Sequence, residues 1–277
     1  MLIRTWNVFH GRSHPPGRTL YLERMVRLVT EDRPDVLCLQ EVPPWALERL
    51  GEWSGMSAFG AVAARPSIGP LPSTAGLGRR LTAVDPPRFR GAFAGQANAI
   101  LLAPWLRALD RESVVLNARS FRRTQAGWLG LPLVDELDWA KERRVCQSVR
   151  VSLRDGRRVV ITNFHATGSK DKRIPDAEVM RAATFADALA GPGDVCVLAG
   201  DFNITAERSL TLAELVRPEW GFSRASAGID HVLVRGAEAG EPERWAIARR
   251  KVDGVVVSDH APVDVRLRIG EDTSDRV

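Results

Sequence analysis

The run Val195-Cys196-Val197-Leu198 is apolar, of strand length, and breaks off at Ala199-Gly200-Asp201-Phe202-Asn203. A continuous apolar run of this kind reads as a strand buried on both faces. Residues two apart on an extended chain project to the same side, so Asp201 and Asn203 face one point at the mouth of a sheet. A carboxylate placed there orients or deprotonates a water, and a carboxamide donates a hydrogen bond to a phosphoryl oxygen. Taken alone, the stretch suits a tight strand-to-loop turn equally well, because Gly, Asp and Asn are common in such turns.

The same pattern recurs along the chain. Leu2 to Val8 reads as a first strand containing Asn7, and Asp35 to Gln40 as a second that ends at Glu41. Arg144 to Leu153 alternates apolar and polar residues, Asp155-Gly156 is a hairpin turn signal, and Arg158 to Phe164 returns with His165 at its far end. Ala58 to Ala64, Gln96 to Leu102 with Asn98, Glu112 to Leu116, Ile229 to Val234, Trp245 to Ala248 and Ala261 to Leu267 read as further strands. Helices are expected over Thr19 to Asp32, Pro43 to Trp53, Pro175 to Leu189 and Leu210 to Val216. In the first of these Thr19 is the expected N-cap, and Leu22, Met25, Val26 and Val29 share a face. Arg65 to Gly95 is rich in Pro, Gly, Ser and Arg and reads as a long loop or irregular insertion, and Arg119 to Arg144 as a surface loop over the site. The polar tail after Gly270 is expected to fray. Strands outnumber helices, and hairpins mix with strand-helix-strand units. That pattern predicts two packed sheets with helices outside, in one domain over residues 1–277.

Composition narrows the class of protein. Hydrophobic residues make up 44% and charged residues 26%, as in an ordinary globular chain, and no run of 18 apolar residues could form a transmembrane helix. The chain opens on a strand-like segment with no secretion signal, so a cytoplasmic location is expected. Cys38, Cys146 and Cys196 each lie in an apolar, strand-like context, and an odd count without close spacing argues against a disulfide framework or a zinc site. The net charge of +5 gives weak support to a polyanionic substrate. Arginine greatly outnumbers lysine, an abundance that a GC-rich coding sequence produces by itself.

The polar residues at strand ends are Asn7, Glu41, His165, Asp201, Asn203, Asp230, Asp259 and His260. Delivered to one sheet edge, such a set can make a divalent-metal phosphoesterase site, since Mg²⁺ or Mn²⁺ takes carboxylate and amide oxygens. Glu41 is the natural metal ligand, with Asn7 and Asp259 as helpers. Thr5-Trp6-Asn7, Gln40-Glu41-Val42, Asn163-Phe164-His165, Gly200-Asp201-Phe202-Asn203, Ile229-Asp230-His231 and Ser258-Asp259-His260 occur in the order found in the endonuclease/exonuclease/phosphatase superfamily. The chain resembles that superfamily over nearly its whole length. The resemblance implies a four-layered α/β/β/α sandwich and a Mg²⁺-dependent phosphoester hydrolase.

The resemblance also implies roles. Glu41 matches the metal-binding glutamate, Asn7 the asparagine beside it, and Asp259 a second carboxylate on the metal side. Asp201 and Asn203 match the pair that positions the nucleophilic water and the phosphate. His260 matches a histidine on the scissile phosphate, and Asp230 the acid that orients it. His165 matches a histidine that assists the leaving group or binds phosphate, and Asn98 a strand-start position expected to be structural or to support the substrate-binding residues. Lys170, Lys172 and Arg173 follow His165 and can grip a phosphate, although a solvated loop is the plainer reading. His10 and His14 are expected in surface or loop roles, His231 in a structural or substrate-side one. The expected reaction is direct attack of a metal-site water on DNA or another nucleic acid, with no protein partner evident. A phospholipid head group or sugar phosphate is the alternative substrate, and a non-catalytic binding protein on the same fold the alternative class. The chain lacks the tyrosine-containing segment of abasic-site endonucleases at Asn163-Phe164-His165, which weakens the case for abasic DNA.

Overall fold

The computed structural model describes residues 1–65, 67–68, 71–72, 74, 76–77, 80 and 95–270. Its main strands are β1 (Leu2–Asn7), β2 (Val36–Val42), β3 (Ser57–Ala64), β4 (Gln96–Leu102), β5 (Arg107–Val115), β6 (Val145–Ser152), β7 (Arg158–His165), β8 (Val195–Asp201), β9 (Asp230–Arg235) and β10 (Val263–Arg268). The helices are α1 (Leu22–Thr30), α2 (Leu50–Ser54), α3 (Arg119–Leu129), α4 (Leu133–Ala140), α5 (Arg173–Leu189) and α6 (Leu210–Leu215).

Alternation along single strands explains the layers. In β2, Val36 and Cys38 face the other sheet, whereas Leu37 and Leu39 pack with Met25, Val26 and Val29 of α1. In β8, Val195, Val197 and Ala199 join the core between the sheets, whereas Cys196 and Leu198 pack against Val179, Ala182, Ala183 and Ala186 of α5. Each strand therefore buries both faces, which is why the runs are continuously apolar. The result is helix, sheet, sheet, helix, as the resemblance implies. One sheet runs β10-β1-β2-β4-β3 and is extended past β10 by Glu238–Ala239 and Glu243–Arg244. The other runs β9-β8-β7-β6-β5. All three cysteines are buried and free.

Register sets the polar residues side by side. β7 runs parallel to β8 with His165 beside Asp201, and β9 runs antiparallel with Asp230 beside Asp201. In the facing sheet Asn7 of β1 lies beside Gln40 of β2. The β2–β4 pairing then slips between Leu39 and Val42, a bulge that turns Glu41 to a φ of 54°. Asn163 braces this bulge from the opposite sheet. Its Nδ2 donates to the carbonyls of Leu39 and Ala99 at 3.0 and 2.9 Å, and its Oδ1 accepts from Gln40 at 2.8 Å.

Several segments differ from expectation. Residues 119–144 are not a loop but carry α3 and α4, separated by Gly130 in a left-handed C-cap and by Pro132. Only Ala126 and Trp139 of these helices are buried, while Trp128, Leu133, Val134 and Leu137 are exposed, so no clean apolar stripe marks the helical period. Thr19 caps nothing. Tyr21 N–H still bonds the Gly11 carbonyl, and α1 begins after it. Pro44–Arg49 is a 3₁₀ helix ahead of α2. Trp245 is not in a strand but precedes a 3₁₀ turn at Ile247–Arg250, and it is buried with Nε1 donating to Asp264 Oδ2. Most of 65–95, and the tail after Gly270, lie outside the described residues.

Candidate active site

Glycine makes the central strand possible. Gly200 has a φ of +147°, and a Cβ there would stand 1.9 Å from the Phe164 carbonyl oxygen. Only a glycine lets β8 approach β7 closely enough to set Asp201 beside His165. Two residues past the end of the strand, Asn203 turns into a left-handed backbone (φ 52°) that aims its N–H back at Asp201 Oδ1, 3.0 Å away.

Around Asp201 the partners come from both sheets. Asn7 Nδ2 donates to Asp201 Oδ2 at 3.0 Å and approaches Glu41 Oε1 at 3.3 Å. The Phe9 N–H bonds Asn7 Oδ1, which fixes the amide with its donor end toward the two carboxylates. His165 Nε2 and His260 Nε2 stand 3.4 and 3.7 Å from Asp201 Oδ2. His260 Nδ1 lies 2.9 Å from Asp230 Oδ1, while the His260 carbonyl is held by Trp6 Nε1 and Arg250. Ser258, with a φ of 58°, bonds the Asn7 carbonyl and so ties the His260 loop to β1. Asn203 Nδ2 donates to the Ala166 carbonyl, and Lys172 Nζ to the Asn203 carbonyl, both within 2.9 Å. Glu41, His165, Asp201, Asn203 and His260 line a cleft of about 430 Å³ together with Asp138, Lys141, Glu142, Arg144, Thr167 and Gly168.

Electrostatics separate the ionisable groups. Burial pushes the Asp201 carboxyl well above the usual range, and the Asp230 charge adds to this, against the pull of His260, Asn7 and the Asn203 N–H. Burial alone pulls His260 down, but its bond to Asp230 and the charges of Asp201, Asp230 and Asp259 outweigh it and raise the imidazole to about 10. His165 goes the other way: burial, then the cations of Arg144, His260 and His10, hold it well below its ordinary value. At neutral pH His260 is therefore an imidazolium with its Nε2–H toward Asp201, and His165 is neutral.

The structure thus brings Asn7, Glu41, His165, Asp201, Asn203, Asp230 and His260 together. Asp259 is exposed and stands outside the group of Asp201, Asp230 and His260, whose ligand atoms lie within 4.8 Å of one another. Of the three basic residues after His165, only Lys172 reaches the site. Lys170 is exposed, and Arg173 is folded onto Asp171 and the Leu129 carbonyl. Asn98 is buried and donates to the Val145 carbonyl, a link between the sheets. His231 is buried with Nε2 2.9 Å from the Ile204 carbonyl, on the side away from Asp230.

Two neighbours had no motif to reveal them. His10, expected in a surface or loop role, is buried with Nε2 3.3 Å from Glu41 Oε2. Arg144 Nη1 lies 3.0 and 3.4 Å from the two ring nitrogens of His165, a spacing that sets the guanidinium across the ring face. Its position as the first residue of a predicted strand was the only signal in the sequence. The convergence of three carboxylates, with Asp201 raised by burial and by a neighbouring charge, fits a hard divalent cation bound through oxygen, while Asn7, whose Oδ1 is taken by the Phe9 N–H, orients the carboxylates with its amide donor.

The model of the Endonuclease/Exonuclease/phosphatase family matches residues 5–260. No curated protein matched. Among solved structures, a functionally unknown conserved protein from Enterococcus faecalis V583 superposes with a TM-score of 0.64 at 14% identity, over 97% of this chain and 99% of that one. Humanized D. rerio TDP2 gives 0.62 at 14% identity, over 97% and 98%. The mannosyl-6-phosphatase Bt3783 of Bacteroides thetaiotaomicron VPI-5482 gives 0.62 at 13% identity, over 97% and 99%.

Proposed function

The chain belongs to the Endonuclease/Exonuclease/phosphatase family, and from that membership we propose that this phosphoester hydrolase is a phosphodiesterase acting on DNA or another nucleic acid. The observation that carries the reading is the row His165–Asp201–Asp230 across three strands, met by Glu41 and His260. Glu41 would hold Mg²⁺ or Mn²⁺, which when bound would neutralise charge at the phosphate and at the leaving oxygen.

The side chains divide the remaining work. Asp201, with its raised proton affinity, accepts the proton of the attacking water; Asn7 and the Asn203 N–H keep its two oxygens apart and aimed. His260 keeps its proton because Asp230 holds Nδ1, and its Nε2–H donates to a phosphoryl oxygen as negative charge builds there. Neutral His165 offers a second hydrogen bond without adding charge. Asn203, pinned by Ala166 and Lys172, holds its amide beside the same phosphate.

Support for a nucleic acid comes from the net charge of +5, from Lys141 and Arg144 in the cleft, and from Lys172 on the Asn203 carbonyl beside it. The similarity to TDP2 and to a mannosyl-6-phosphatase is one of fold and leaves both substrate sizes open to test. Asp201→Asn protein is expected to bind a short DNA duplex with an affinity that falls steeply with salt, because bound phosphates release counterions. Salt-independent or absent binding, with the wild type releasing phosphate from a hexose phosphate, would replace the nucleic-acid reading by a small phosphoester.

A further inference from the structure

We propose that His10 gives an imidazole nitrogen to the divalent cation held at Glu41, so that the site offers a mixed nitrogen and oxygen donor set. The inference rests on the reading of Glu41 as the place of the cation. Its basis is the turn that follows β1. Asn7, which approaches Glu41, also accepts the Phe9 N–H, so the turn starts from the site itself. The backbone is left-handed at Phe9 (φ 48°) and at His10 (φ 53°), and again at Glu41 (φ 54°). Non-glycine residues rarely adopt this conformation, and they do so where the surrounding structure imposes it.

The surroundings here are rigid. Gly11 N–H bonds the Val8 carbonyl at 2.7 Å, and Gly11 packs so closely on Leu22 that an added Cβ would stand 2.5 Å from Leu22 Cβ. The turn is thus clamped on α1 with His10 buried and aimed at Glu41. Their Nε2 and Oε2 atoms stand 3.3 Å apart. Adjacent ligands on one octahedral cation, with bonds of about 2.0–2.2 Å, stand roughly 3 Å apart. Of the other two imidazoles of the cleft, His260 has its Nδ1 on Asp230 and His165 has its face covered by Arg144, and both point Nε2 toward Asp201 rather than toward Glu41. An imidazole donor suits borderline ions, whereas Mg²⁺ prefers an all-oxygen shell. The site should therefore favour Mn²⁺ over Mg²⁺ more than oxygen ligands alone would.

Pulsed electron paramagnetic resonance of Mn²⁺ added to the full chain tests this without reference to turnover. The expected result is a ¹⁴N coupling in the wild type that changes to ¹⁵N in protein labelled at histidine, survives His165→Gln and His260→Gln, and disappears in His10→Gln. His10→Gln should also weaken Mn²⁺ binding by about tenfold or more, with Mg²⁺ binding changed far less. If His10→Gln proves unfolded by circular dichroism, the labelled wild type and the two other histidine variants still decide, because a coupling lost in either of them places the donor elsewhere. Mn²⁺ bound with no nitrogen coupling, or a coupling that persists in folded His10→Gln, overturns the proposal alone. Absence of Mn²⁺ binding, or binding unaffected by Glu41→Gln, overturns the placement of the cation on which it rests.

Discussion

At Asp201 the demands of function and stability oppose each other. Burial and the Asp230 charge raise its carboxyl, so in the metal-free protein its ionised form costs stability at any pH above its ordinary 3.8. Asp201→Asn should therefore raise the melting temperature of the metal-free protein near pH 8, by roughly 2–6 °C for a chain of this size, while removing activity. A melting temperature that falls would show that the ionised acid is well satisfied as it stands. His260 has the opposite sign. Raised from 6.5 to about 10, it contributes stability that is complete below about pH 6.5 and is lost as pH climbs through about 10. The gap in melting temperature between the wild type and His260→Gln should narrow over that window, and thermal melts of metal-free protein across the range would show it. Side chains of this kind were legible in the sequence because each follows an apolar strand. His10 and Arg144 were not. One sits on a turn whose shape depends on Gly11 meeting Leu22 from α1, and the other acts through a contact across 21 residues of intervening chain.

Between elements, the bulge in β2 is the device that re-aims Glu41, and Asn163 is what keeps it. Its Nδ2 satisfies two carbonyls near the slip in register, and its Oδ1 accepts from Gln40. Asn163→Ala would leave these groups buried without their partner, at a cost of about 2–4 kcal/mol. Cation affinity at Glu41 should fall with it, which denaturant unfolding and Mn²⁺ titration would read separately. Trp139 has a comparable part in α4. It is almost wholly buried and donates to Glu178 of α5, which also accepts the Thr167 N–H and hydroxyl beside the cleft. Trp139→Ala should speed amide exchange across residues 119–140 and in the Ala166–Gly168 segment, and exchange confined to α4 would contradict the coupling. The strands were readable because both faces are buried and the apolar runs are unbroken. The α3–α4 pair was not, because it buries so little of its own surface that neither helical period nor composition set it apart from a loop.

Over the whole molecule, the site exists because two sheets bring their strand ends to one edge. Asn7 and Glu41 come from one, His165, Asp201 and Asp230 from the other, and Ser258 and His260 from the loop before β10. The order of the motifs along the chain made this architecture legible, whereas the register that makes neighbours of His165, Asp201 and Asp230 is a property of strand pairing across long sequence separations. Gly200→Ala tests the dependence on close packing: its Cβ would meet the Phe164 carbonyl, forcing β7 and β8 apart, and loss of more than ~4 kcal/mol or outright insolubility is expected. Among the described residues no helix is long and apolar enough to cross a membrane. The most direct test of the account is nicking of supercoiled plasmid with Mg²⁺ or Mn²⁺ by the wild type and by Asp201→Asn, purified side by side. The account predicts nicking by the wild type that chelation stops, and a loss of at least ~10³-fold in the variant, the scale of removing a group central to the reaction. Equal nicking by both proteins, or an intact plasmid with either cation, would contradict it.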